Sequence, residues 1–314
     1  MRTPVASLPS VAILLATYNG GAFVADQVHS ILSQTAVRVH IFVRDDGSTD
    51  DTIDVITRVK NEHPEHITIL NDGLGPTGSA AANFFALMQI VDFGSFDYVA
   101  FADQDDVWLP EKLQRAVTCL SHQGGGGYSS NLQAWNVEDD TYWIMQKSGA
   151  AKKFDYLFQG ASAGCTYVLD VASALIVRQR MAPLKRQYCA GISHDWVIYA
   201  ICRSAGVPWF RDTQSLIHYR QHSRNVYGAR PGFAGIAARF GMISSGWYRD
   251  HVLWLEHVIT NTADECKLLA RLKRGRINDC FYLATRAHDF RRGRGDVWKL
   301  RIALILGLLG NKGG

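Results

Sequence analysis

"DYVAFADQDDVWLPEKL", residues 97–113, runs from an apolar segment into three carboxylates, Asp103, Asp105 and Asp106, and on through Pro110 into helical spacing. A strand that leads through a polar turn into a helix is the repeating unit of a parallel sheet, because crossover helices link parallel strands. The same alternation precedes it: apolar runs at 11–17, 38–43 and 66–70 are each followed by helical spacing, at 22–33, 49–60 and 78–91, and 97–102 is followed by 110–122. Near-continuous apolar strands are buried on both faces, so the expected fold is α/β, a mainly parallel sheet flanked by helices. Ligands of such sheets bind at the carboxyl ends of the strands. The polar groups there are Thr17, Tyr18 and Asn19 after the first strand, Asp45 and Asp46 after the second, and Asp103 to Asp106 after the fourth.

Three acids within four positions repel one another unless a cation or hydrogen-bond donors neutralise them. The D-x-D spacing of Asp103 and Asp105 offers two carboxylates to one hard divalent ion, Mg2+ or Mn2+. The competing reading is a helix N-cap, with Asp105 or Asp106 capping the helix at 110–122. A cap needs one acid, so the expectation is a metal site with Asp106 serving the cap. "RDDGSTDDT", 44–52, divides similarly. Ser48, Thr49 and Asp50 are cap candidates for the helix at 49–60, and at the strand end one carboxylate of Asp45 or Asp46 could accept the imide N–H of uracil or thymine.

"GGGG" at 124–127 reads as a loop, without the GK[ST] of a phosphate loop. Beyond it, 164–169 and 214–220 read as strands, 194–205 as a helix opening on "SHDW", and the chain from about 232 onward as helical. In "HYRQHSRN" an extended backbone puts His218, Arg220, His222 and Arg224 on one face. That face suits a diphosphate, and a solvated edge strand gives the same pattern.

In order and spacing, "ATYNGGAFVADQVHSILSQT" (16–35), "VRDDGSTDDT" (43–52), "GSAAANFFALM" (78–88) and "DYVAFADQDDVWLPEKL" resemble the family 2 glycosyltransferases. "GASAGCTYVLD" (160–170), "GISHDWVIYAICRSAG" (191–206) and "IHYRQHSRNVYG" (217–228) extend the resemblance toward its rhamnosyltransferase-like branch. It implies the GT-A fold over 1–228, with a nucleotide-binding half (1–123) and an acceptor-binding half (124–228), followed by a basic helical region (229–314). It also implies roles. Thr17, Tyr18, Asn19 and Asp46 hold the base, Asp103 meets ribose, and Ser79 and Asn83 flank the nucleotide sugar. Asp105 with Asp103 holds the metal, Asp195 is the general base, and His222, Arg224 and His218 contact the donor diphosphate. Trp196 and His194 stand toward the acceptor. The implied activity is inverting, metal-dependent transfer of a hexose, L-rhamnose from a thymidine diphosphate donor being one candidate, to a hydroxyl of a surface glycan or lipid-linked glycan. Without the resemblance, Ser193 or Asp195 also reads as an N-cap. The competing function is a catalytically silent nucleotide-sugar or glycan-binding scaffold.

Six cysteines without CxxC spacing point to a reducing cytoplasm and away from a zinc site or disulfide framework. No signal-peptide pattern and no run of about 18 apolar residues is present, so neither export nor a membrane span is expected. The net charge of +4 is unevenly spread: residues 271–314 hold eleven Lys/Arg against three Asp, a local +8. Nucleic acid is not expected as a partner. In "RRGRGDVWKLRIALILGLLG", 291–310, arginines precede a short apolar helix for which three coverings are open: a membrane interface on the inner face of the cytoplasmic membrane, a homodimer, or its own domain.

Overall fold

The computed structural model describes residues 7–184, 191–222, 245–306 and 308–309. The chain divides into two compact units. The first comprises Met1–Ser148, Ser162–Asp195 and Val207–His222; the second comprises Gly149–Ala161, Trp196–Gly206 and Ser223–Gly314.

The first unit is built on the expected alternation: β1 (Ser10–Thr17), α1 (Val24–Leu32), β2 (Arg38–Asp45), α2 (Thr52–Glu62), β3 (Ile67–Ile69), α3 (Ala80–Ile90), β4 (Tyr98–Ala102), then β5 (Val107–Trp108) and α4 (Lys112–Gln123). It continues through β6 (Gly127–Ser130), β7 (Leu132–Asn136) and β8 (Thr141–Met145). After α5 (Asp155–Phe158), which belongs to the second unit, come β9 (Val168–Asp170), α6 (Val171–Met181), α7 (His194–Ser204), whose first two residues belong to the first unit and the rest to the second, β10 (Trp209–Asp212) and β11 (Ile217–Gln221). The main sheet has the order β10-β6-β9-β4-β1-β2-β3. β1 pairs parallel with β2 and β4, while β9 runs antiparallel between β4 and β6.

All eight residues of β1 are buried, as a central strand covered on both faces requires. Val11, Ile13 and Leu15 join a core with Val24, Val28 and Ile31 of α1, Ile56 and Val59 of α2 and Leu113 and Leu120 of α4. The opposite face meets α3, where Phe84 packs edge-on against Phe101 of β4 at 6.0 Å. Eight of the eleven residues of α3 are buried, because α6 also packs on it. A second sheet, β5-β11-β7-β8, was not anticipated; its strand β5 is two residues long and its hairpin β7–β8 lies where the sequence shows no clear alternation.

The first glycine of the 124–127 run ends α4 in the left-handed conformation, φ 84°, and the last opens β6. In place of the strand expected at 164–169, a 3-10 turn (Gly164–Thr166) leads into the shorter β9.

In the second unit, α8 (Trp247–Trp254), α9 (Ala263–Arg274), α10 (Ile277–Thr285), α11 (Ala287–Phe290) and α12 (Arg294–Ile305) bear out the helical reading from Trp247 onward; residues 232–244 lie outside the described residues. The basic tail is largely committed internally. Arg292 and Arg203 converge on the fully buried Asp155, at 3.0 and 3.1 Å, and Tyr199 Oη donates to the same carboxylate. Arg271 and Arg274 close on Asp279 at 2.9 and 2.7 Å. A formal +8 therefore overstates the free positive surface. Among the described residues no helix is long and apolar enough to cross a membrane.

Candidate active site

The register of the main sheet aligns Thr17 with Asp45 and Leu15 with Ala102, so the turns after β1, β2 and β4 open at one sheet edge. Thr17 Oγ1 donates to Asp45 Oδ1 at 2.8 Å, and Asp45 Oδ2 accepts the backbone N–H of Gly47 and Ser48. Asn19, held at φ 48°, accepts from the Thr49 N–H and donates its own N–H to Ser48 Oγ. Asp45, Ser48 and Asn19 thus tie two turns together. The cap expected of Ser48, Thr49 or Asp50 is correspondingly replaced: α2 starts at Thr52, its N-cap Asp51 makes no side-chain cap bond, and Asp50 accepts from the N–H groups of Gly21 and Thr52.

Asp46 is 5% exposed. Its carboxylate accepts from Arg44 Nη1 at 3.2 Å, from the Thr77 N–H and from the Gly78 N–H at 2.8 Å. Arg44 organises this corner: buried itself, it also donates to Asp72, to the Gly75 carbonyl and to Asn83 Oδ1. Asn83 is buried and passes its amide to the Arg44 carbonyl, while Ser79 caps α3 by accepting the Ala82 N–H. Ser79 and Asn83, expected beside a sugar, thus make these internal bonds at the start of α3. Arg44 was missed; the signal was a charged residue closing an apolar strand against two acids.

The Tyr18 side is more open, with Tyr18 56% exposed. Its backbone is clamped by Gln104, whose Oε1 accepts the Tyr18 N–H at 2.8 Å and whose Nε2 donates to the Tyr18 carbonyl at 2.9 Å. Gln104, the middle residue of D-x-D, thereby joins the first strand's turn to the fourth's. Gly20 leaves room for this clamp, since a Cβ there would lie 2.2 Å from Gln104 Oε1.

Asp103 is pushed up from 3.8 to about 7 by burial, then by the charges of Asp105 and Asp195. Asp106 is fully buried and raised well above the usual carboxylate range by burial, then by the charges of Asp105 and Asp103. It accepts the Arg220 N–H at 3.3 Å and does not cap α4, whose N-cap Glu111 makes no side-chain cap bond. β5 intervenes between Asp106 and α4, which is why the expected cap fails. Cys165, a second residue not anticipated, brings a sulfur to within 4.8 Å of ligand atoms of both Asp103 and Asp106. Burial and those carboxylates push its thiol well up, so it stays protonated beside them. Below lies Lys112, buried, its Nζ 3.2 Å from the centre of the Trp108 ring and lowered by burial to about 7.

The alternating residues of β11 separate in role. His222 Nε2 is 2.9 Å from Asp105 Oδ2, and its ring stacks on Phe23 at 4.6 Å. Arg220 Nε donates to the Asp105 carbonyl at 2.9 Å and its Nη2 pairs with Asp26; its guanidinium lies over Phe23 and Trp135. His218 sits edge-on to Tyr142 and Trp135, and burial lowers its pKa. Arg224 lies outside the described residues.

Asp195 occupies the first turn of α7, and Ser193 Oγ donates to its Oδ1. Its charge is one of those that raise Asp103, after burial and Asp105. His194 stacks on Phe84 at 4.2 Å, and a Cβ on Gly164 would fall 2.2 Å from its Nε2. Burial lowers its pKa, so a neutral, packed imidazole fixes the start of α7. Trp196, expected toward an acceptor, is 6% exposed; its Nε1 donates to the Tyr156 carbonyl and its ring packs against Tyr248 and His251.

The parallel-rich sheet flanked by helices is the architecture of GT-A glycosyltransferases. The chain belongs to glycosyl transferase family 2, whose family model matches residues 12–180, and it is an inverting glycosyltransferase. Among individual proteins it is similar to the dTDP-rhamnosyl transferase RfbG of Shigella flexneri, 31% identical over 294 residues that cover 94% of this chain and 100% of the relative. Two solved structures share the fold. The UDP complex of S. aureus TarS 1–349 gives a TM-score of 0.58 at 9% identity, covering 96% of this chain and 88% of that one. The mannosyltransferase PcManGT of Pyrobaculum calidifontis, in complex with GDP-Man and Mn2+, gives 0.53 at 15% identity, covering 96% and 86%.

Proposed function

We propose that this enzyme transfers L-rhamnose from a thymidine diphosphate donor to a hydroxyl of a lipid-linked or surface glycan, with a divalent cation, Mg2+ or Mn2+, at the acid loop. The observation that supports the reading is the acid loop Asp103–Asp106 opening beside the turns that carry Tyr18 and Asp46, with Asp195 near enough for its charge to raise Asp103. The choice of donor is supported by the dTDP-rhamnosyl transferase relative, aligned over nearly the whole chain, whereas TarS bound to UDP supports the fold alone.

The cation fits the residues present. Asp103 and Asp105 are oxygen donors suited to a hard ion, the protonated Cys165 is no competing thiolate, and the repulsion that adds to burial in raising Asp103 is what a divalent charge would relieve. When bound, the cation neutralises charge on the departing diphosphate. The remaining chemistry belongs to the chain. Tyr18 and Asp46 hold the base, Asp103 meets ribose, and His222, paired with Asp105, lies at the diphosphate side. Asp195 takes the proton of the acceptor hydroxyl as its oxygen bonds to the anomeric carbon and the bond to the diphosphate oxygen breaks. Inversion follows from this single displacement.

A donor-hydrolysis and thermal-shift screen with Mn2+ across thymidine, uridine and guanosine diphosphate sugars tests the reading. dTDP-rhamnose is expected to give the largest shift and the fastest turnover; preference for a uridine or guanosine donor overturns it. Gln104 supplies a second test. Gln104→Ala removes both clamps on Tyr18, bonds contributing about 0.5–1.5 kcal/mol each. Thymidine diphosphate affinity, measured calorimetrically, should fall by about tenfold, and unchanged affinity removes Tyr18 from base recognition.

A further inference from the structure

Helix α12, Arg294–Ile305, carries apolar side chains on opposite faces. Leu300, Ala303 and Leu304 are buried within their own unit. Trp298, Ile302, Ile305 and the adjoining Leu306 are 61%, 52%, 42% and 65% exposed. Their spacing of four, three and one residues aligns them as a stripe along the outward side. A helix that is apolar all round needs covering on both sides, and contiguous exposed apolar surface marks an interaction site. Of the fourteen large hydrophobic residues exposed among the described residues, four fall within these nine positions, so the stripe is a concentration rather than scatter.

The charges flanking the stripe identify what covers it. Arg294 and Lys299 are exposed, and the Arg301 guanidinium lies 4.9 Å from the Trp298 ring centre. Asp296 is the one acid on the helix, and Lys299 pairs with it at 3.1 Å. An apolar stripe bordered by cations, with a tryptophan at one end, suits the boundary between anionic headgroups and acyl chains. A second copy suits it less well, since a two-fold contact through the same stripe brings like charges together. Twelve residues span about 18 Å, too short to cross a bilayer but enough to lie along one.

We propose that α12 is an interfacial helix that seats this enzyme on an anionic lipid surface, with Trp298, Ile302, Ile305 and Leu306 in the headgroup–acyl boundary. This uses α12 alone and stands apart from the choice of donor. It is consistent with the internal commitment of much of the tail's basic charge: insertion of the stripe and the headgroup contacts of Arg294, Lys299 and Arg301 are both needed, and neither alone holds the chain on a bilayer.

The test is co-flotation of the full chain with phosphatidylcholine vesicles made with and without phosphatidylglycerol. The wild-type chain is expected to float with the anionic vesicles and to remain behind with the neutral ones. The exposed-site double substitution Ile302→Ser/Leu306→Ser should weaken binding by about a hundredfold or more, given the area withdrawn from lipid. Its melting temperature and its hydrolysis of soluble donor should stay unchanged, which separates lost docking from lost folding. Wild-type protein that fails to float, or a variant that floats equally well, overturns the proposal. So does a wild-type dimer in size exclusion that the double substitution converts to monomer, because the stripe then belongs to a second copy.

Discussion

Asp195→Asn is expected to lower sugar transfer by about a thousandfold, within the range a positioned general base contributes, while leaving donor affinity unchanged. The substitution preserves shape and leaves an oxygen to accept from Ser193 Oγ, so the first turn of α7 keeps its anchor. The neighbouring His194, packed on Phe84 and against Gly164, holds that turn independently of the charge at 195. What disappears is the ability to accept the proton of the acceptor hydroxyl. Since Asp195 is also one of the charges that raise Asp103, the variant lowers crowding around the acid loop and gives no reason for weaker cation or donor binding. Single-turnover transfer with calorimetric donor binding separates these quantities. Turnover at the wild-type rate assigns the base elsewhere; lost donor binding instead makes Asp195 part of the donor site.

The fold was legible because its signals are local. β1 is buried at every position and reads as an unbroken apolar run, and the alternation up to α4 lies within a few residues of prediction. Helix starts were less legible, since Asp50 and Ser48, which look like caps, are committed to the turn after β1 instead. The same physics limits reading of the site. Acids at strand ends announce themselves by position, but their partners do not: Cys165 comes to Asp103 and Asp106, and Arg220 to Asp105, from remote stretches of chain. Arg44 and Gln104 stand inside recognised motifs, yet their roles are visible only once two strand ends lie side by side. The basic tail misled in the opposite direction. Composition counts its arginines as surface charge, whereas Arg292 reaches the buried Asp155, and Arg271 and Arg274 share Asp279.

Asp105→Ala is expected to abolish Mn2+-dependent donor binding, a loss of about a hundredfold or more if the cation contributes several kcal/mol. The backbone here is held without the carboxylate: Arg220 Nε donates to the Asp105 carbonyl and the Arg220 N–H to Asp106. The loop should therefore persist in the variant. Removing one of three crowded acids also relieves repulsion, since Asp105 is the leading charge that raises both Asp103 and Asp106. The metal-free variant should consequently melt at or above the wild-type temperature, while added Mn2+ stabilises the wild type and leaves the variant unmoved. A merely structural Asp105, important only as partner of His222, makes the opposite pattern: a lower melting temperature, with Mn2+ response and donor affinity intact. The two measurements together thus distinguish a carboxylate kept for a cation from one kept for the fold. In the first case the wild-type chain tolerates repulsion in its acid loop that only an occupied site removes.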